Sequence, residues 1–161
     1  MKEIKLSQGK VALVDDADFE WLNQWKWFYH RAIRNVSGYA IRNIGKAPNR
    51  SVERMHTLIM GKRKGHTIDH INRNGLDNRR ENLRWANSFE NIYNRGPQKN
   101  CSSGFKGVSK TKDRYGVAKY WIARITVGKN RIYLGTFPTP EEANAAYVEA
   151  AKKYHREFSY A

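Results

Sequence analysis

The stretch from Ile68 to Asn94, IDHINRNGLDNRRENLRWANSFENIYN, constrains this chain more than any other part of it. Two short apolar runs, Ile68–Ile71 and Leu83–Trp85, are too brief for helices and read as strands. Between them lies a polar loop, INRNGLDNRREN, with the turn dipeptide Asn74-Gly75. Asn87 follows, with Glu90 three residues on, a capping-box variant that opens a helix. The order is therefore strand, long loop, strand, helix.

The side chains on this frame suit one kind of chemistry. Hydrolysis of a phosphodiester needs a base to activate water and a hard cation to take up charge on the phosphate. His70, titrating near neutrality, can be that base. Asp69, helped by an amide oxygen from Asn91, can hold that cation. The helix carrying Asn91 returns after the second strand, so it can pack beside Asp69. Asn82 reads as a loop clamp, because an amide both donates and accepts hydrogen bonds. Asn72, Asn74 and Asn78 read as turn chemistry. Arg79, Arg80 and Arg84 are either a solvated face or a grip on phosphates.

Charge points the same way. Thirty Lys and Arg face 15 Asp and Glu, giving a net charge of +15 and a pI near 10.1. That balance favours a polyanionic partner, above all nucleic acid. Aromatic residues at 12% and hydrophobic residues at 40% are enough for packed cores, so the chain is not a disordered basic tail. One cysteine, Cys101, excludes an intrachain disulfide and a cysteine-based zinc cage; it is expected free in a loop. No segment approaches the roughly 18 apolar residues of a membrane helix, and the N-terminus lacks an apolar signal core. A soluble, intracellular protein is expected.

Flanking segments complete the organisation. Ile4 and Leu6, the turn Gln8-Gly9, and Val11 to Val14 predict a hairpin. DADFEWLNQW predicts a short helix, Trp27–His30 and Tyr39–Ile44 predict strands around a loop at Ser37-Gly38, and Met55–Met60 predicts a helical turn or two. The aromatic residues from Trp21 to Tyr29 read as core. Asn94–Gly104 reads as a linker. Beyond it, Phe105–Lys110, Tyr120–Val127 and Arg131–Leu134 predict three strands, the last two joined at Gly128-Lys129-Asn130. TPEEANAAYVEAAKKYH predicts a helix capped by Thr139, with Pro140 at its first position and Glu142 closing a capping box. Alternation in the middle strand turns Trp121, Ala123 and Ile125 towards that helix. It sends Arg124 outward with Lys106, Ser109, Arg131 and Tyr133. Such a face is either an ordinary solvated surface or a β-ribbon for the major groove.

The segment MHTLIMGKRKGHTIDHINRNGLDNRRENLRWANSFENIYN resembles the HNH endonuclease motif in its phage and intron homing form, over residues 55–95. The N-terminal LSQGKVALVDDADFEWLNQWKW resembles the segment that often precedes it. The resemblance implies catalytic roles for His70 as general base, Asn82 as the loop-holding asparagine, and His56, whose part is open between phosphate contact and helix packing. It implies Asp69 and Asn91 as metal ligands, and one Mg²⁺ or Mn²⁺ per active site. Cleavage would leave 5′-phosphate and 3′-hydroxyl ends. SGFKGVSK and YWIARITVGKNRIYLGTFPTPEEANAAYVEAAKKYH resemble the plant ethylene-response-factor type of DNA-binding domain, over residues 103 to about 158. There Lys106, Gly107, Arg124, Arg131 and Tyr133 occupy positions where the sheet touches DNA. Ser109, Thr111 and Thr126 stand where plant members carry arginines, so base specificity does not transfer.

The fold expected is α+β. A segment 1–54 packs on a ββα-metal nuclease module at 55–95, a linker spans 96–104, and residues 105–161 form a three-stranded antiparallel sheet on one helix. The expected function is a metal-dependent homing endonuclease, with Arg79, Arg80 and Arg84 added to its DNA contacts. The partner is double-stranded DNA in a bacterial cytoplasm, met by a monomer with no obligate protein partner and no membrane. The alternatives are a DNA-binding regulator with a degenerate nuclease site, or an RNA-binding protein, which the lack of an exposed aromatic platform disfavours.

Overall fold

The structure, a computed structural model, describes residues 1–31, 38–46, 48–111 and 119–160. Ser37 of the expected Ser37-Gly38 loop lies outside the described residues. The fold is α+β, with small antiparallel sheets and few helices. The chain divides into two compact units, Met1–Ser88 and Phe89–Ala161; residues 96–104 lie within the second. No helix among the described residues is long and apolar enough to cross a membrane.

In the first unit β1 (Lys2–Lys5) and β2 (Val11–Val14) form a hairpin, with Ile4 opposite Ala12. α1 (Asp16–Asn23) follows, burying Leu22. β3 (Phe28–His30), β4 (Tyr39–Ile44) and β5 (Ser51–Arg54) make an antiparallel sheet in that order. α2 (Met55–Met60) leads to β6 (Thr67–His70), which pairs antiparallel with β7 (Leu83–Ala86). Ile4, Val14, Leu22, Trp27 and Met55 are almost wholly buried in one cluster with Ile59 and Leu83. Each such side chain stabilises the unit by about 1.5–3 kcal/mol through burial alone. The loop after β6 is pinned to the hairpin: Leu13 N–H donates to Leu76 C=O and Asn78 N–H to Leu13 C=O, both at 2.8 Å. This anchors the site-bearing loop to a preformed edge of the core.

α3 (Ser88–Tyr93) begins at the division. In the second unit β8 (Val108–Lys110), β9 (Trp121–Val127) and β10 (Asn130–Phe137) form a sheet with β9 in the middle. α4 (Pro140–His155) lays Ala143, Tyr147 and Ala151 against Val108, Ala123 and Ile125. Small alanine side chains let helix and sheet approach closely. Thr139 Oγ1 accepts the Glu142 N–H at 3.2 Å and caps the helix. The first strand is shorter than expected because Phe105–Gly107 turns, held by Ser103 Oγ on the Phe105 and Val108 carbonyls. The last is longer, because a bulge between Tyr133 and Gly135 carries pairing on to Phe137. Cys101 is free and half-buried, its Sγ 3.2 Å from Phe105 O.

Candidate active site and sheet face

The β6–β7 hairpin sets two residues against their partners. Asp69 lies directly opposite Arg84, and His70 opposite Leu83. Successive strand residues point to opposite faces. On one face Arg84 Nε and Nη2 donate to Asp69 Oδ2 at 2.9 and 2.8 Å. On the other, His70 packs edge-on to His56, ring centres 5.0 Å apart, with Tyr39 at 5.9 Å. Both histidines are buried. Burial pushes the His56 imidazole down to about 3, helped by the charges of His70 and Arg54. Burial also lowers His70, against the opposing pull of Asn78, Asp69 and Asp77. Both rings are neutral at physiological pH, as a general base must be.

The loop between the strands is held by its own amides. Asn82 Oδ1 accepts the Asn72 N–H at 2.9 Å, and Asn82 Nδ2 donates to the Asp77 carbonyl at 2.8 Å. One side chain thus ties the start of the loop to its middle. Asn72 and Asn74 accept backbone N–H groups two residues on, as Asx turns do.

Asn78 does more than turn chemistry. It is fully buried, and its Nδ2 donates to Leu76 C=O at 3.2 Å. That bond fixes which way the amide points and turns Oδ1 to His70 Nε2 at 3.4 Å. An oxygen at that place accepts, so the contact is a hydrogen bond in the tautomer that carries the ring proton on Nε2. Sequence reasoning missed this role because one asparagine in an asparagine-rich loop looks like its neighbours. The only signal was its place eight residues after His70.

The arginines are engaged by acids. Arg79 forks onto buried Asp77 through Nε and Nη2, both at 2.8 Å, and also meets Glu81. Arg80 forks onto buried Asp18 of α1, again at 2.8 Å twice. The guanidinium groups hold both carboxyls below their usual range. Arg79 and Arg80, expected to grip phosphate, fasten the loop here, because buried carboxylates need a partner charge. Arg84 likewise serves Asp69.

Among the described residues, no group of three His, Cys, Asp or Glu side chains could hold a metal ion. A zinc cage of nitrogen and sulfur ligands does not fit. A single carboxylate such as Asp69 fits a hard ion that keeps most of its water, as Mg²⁺ does. Asn91, half-buried, lies on α3 in the second unit.

On the sheet face, Arg124 stands opposite Tyr133 and Thr126 opposite Arg131, with Ser109 opposite Ile122. Ser109, Arg131 and Tyr133 are exposed, Arg124 half-buried. Lys106 departs from the expectation. Its Nζ donates to the carbonyls of Ile92 and Tyr93, capping the end of α3, where a cation meets unsatisfied carbonyls. Gly107 (φ 73°) is a point of close approach: a Cβ there would sit 2.4 Å from Arg124 O and from the Tyr147 ring.

Residues 61–93, which hold this hairpin, its clamp and the paired Asp-His, match the family model described as HNH endonuclease. The chain is also 39% identical over 81 residues to Protein 3.8 of Escherichia phage T7, covering 50% of this chain. The match spans 64% of that protein's length, less than two thirds. No solved structure matches the chain.

Proposed function

We propose that the protein is a metal-dependent DNA endonuclease of the homing type, with a nuclease module at 55–95 and a DNA reader at 105–161. The observation that carries the reading is the buried, neutral His70 whose Nε2 faces the amide oxygen of Asn78. In the tautomer that donates from Nε2, Nδ1 is the nitrogen that takes a proton from water. The activated water attacks phosphorus, the bond to the 3′ oxygen breaks, and 5′-phosphate and 3′-hydroxyl ends result. Asp69 and Asn91 would hold one Mg²⁺ or Mn²⁺, which when bound supplies positive charge against the phosphate and the departing oxygen. Arg84 keeps the Asp69 carboxylate in place, Asn82 holds the loop, and His56 packs against the His70 ring as a dry wall. Ser109, Arg124, Arg131 and Tyr133 present the face that meets duplex DNA, with Gly107 setting the sheet close to its helix.

One nuclease motif in a monomer would nick rather than cut both strands. Incubation of the full chain with supercoiled plasmid and Mg²⁺ tests this, against a chelator control. The expected first product is an open circle that DNA ligase reseals. Linear product from the outset would contradict nicking. Binding without cutting under every metal would favour the regulator reading. Arg131→Ala should relax site preference if it meets a base edge, and weaken affinity uniformly if it meets phosphate.

A further inference from the structure

The acids that tie down Arg79, Arg80 and Arg84 leave open which cations near the nuclease strands meet phosphate. The loop joining α2 to β6 answers in its chemistry. Lys62, Arg63 and Lys64 are consecutive and exposed, and among the described residues none pairs with an acid. The loop has a definite shape. His66 N–H donates to Arg63 C=O at 3.1 Å, closing a turn, and the His66 ring lies 3.1 Å from Lys64 O. Gly65, third in the turn, has φ 76°, as a type II turn requires.

We infer that Lys62, Arg63 and Lys64 form a phosphate clamp for duplex DNA beside the cleavage site. This rests on the endonuclease reading and replaces Arg79 and Arg80 as its backbone contacts. The loop feeds directly into β6, whose far end is His70. Lys64 and His70 are separated by six residue steps, which span at most about 20 Å. One phosphate per strand follows every ~3.4 Å of duplex axis, so the clamp falls within about six nucleotides of the attacked phosphorus. A purely structural role, three cations answering the dipole at the end of α2, would alter melting but not the salt dependence of DNA binding.

The test compares the full chain with a Lys62→Ala, Arg63→Ala, Lys64→Ala triple variant. Affinity for a generic DNA duplex is measured across a fourfold range of salt. Loss of three phosphate contacts should make the log–log slope shallower by about 2.7, so the wild type loses roughly 40-fold more affinity over that range. Melting should stay unchanged, because these side chains are exposed. Neutralising single phosphates within about six nucleotides of the cut should weaken the wild type and leave the variant unaffected. Equal slopes for the two proteins, with the wild type cutting normally, would overturn the clamp and leave the endonuclease reading standing. A wild type that neither binds nor cuts duplex DNA would overturn both. As a contrast, Arg80→Ala should lower melting while keeping the slope, because it strands Asp18.

Discussion

Replacing Asn82 by alanine should cost the first unit about 2–4 kcal/mol. The Asn82 side chain is 5% exposed and ties two backbone groups ten and five residues away. The bond to Asp77 C=O is buried, so that carbonyl loses its partner without gaining water. The Asn72 N–H is only partly buried and recovers part of its loss from solvent. A stranded buried group costs ~1–3 kcal/mol, and the small cavity adds to it. Urea unfolding followed by tryptophan fluorescence is the assay. Four of the five tryptophans, Trp21, Trp25, Trp27 and Trp85, belong to the first unit and Trp121 to the second, so most of the signal reports the first unit. With a slope of ~1.5 kcal/mol per molar, the midpoint should fall by about 2 M at unchanged slope. Asn82→Asp should do at least as much damage, since it sets a carboxylate oxygen against the Asp77 carbonyl. A loss under ~0.5 kcal/mol for the alanine variant would refute the clamp.

Three further outcomes are expected. His56 is held at about 3 when folded against 6.5 when exposed, so the unfolded chain takes up the proton first as pH falls. Its contribution is complete above pH 6.5 and is lost from 6.5 towards 3, about 2 kcal/mol by around pH 5. Denaturant midpoints at the two pH values check this, and His56→Phe should make the dependence shallower. Gly107→Ala should destabilise the second unit by ~2 kcal/mol or more, since its Cβ would clash with Arg124 O and Tyr147. A thermal melt unchanged from wild type would contradict that packing. Asn78→Ala should slow cleavage about tenfold at saturating DNA, the worth of one lost hydrogen bond, while affinity holds. An unchanged rate would remove Asn78 from its positioning role.

Much of this architecture was legible in local sequence. The β1–β2 hairpin, α2, the β6–β7 pair and α4 with its Thr139 cap all follow from short-range periodicity and capping. β5 was not legible: Ser51–Arg54 is polar and mostly exposed, an edge strand without an apolar face to betray it. Nor was the fate of the arginines, because Asp18 lies 62 residues before Arg80 and only tertiary packing joins them. Lys106 looked like an outward sheet residue until the turn at Phe105–Gly107 carried its ammonium to the end of α3. Asp69 and His70 stood out as a pair, but alternation on one strand sends them to different neighbours.

We propose that His70 is the base of a nuclease whose DNA is bound by other residues, and the test is the cleavage rate of His70→Ala on supercoiled DNA with Mg²⁺, measured alongside equilibrium affinity for the same DNA. The rate should fall by ~10² to 10⁴ with affinity nearly intact. Retention of more than about a tenth of wild-type cutting would contradict it, because loss of a general base costs at least ~10².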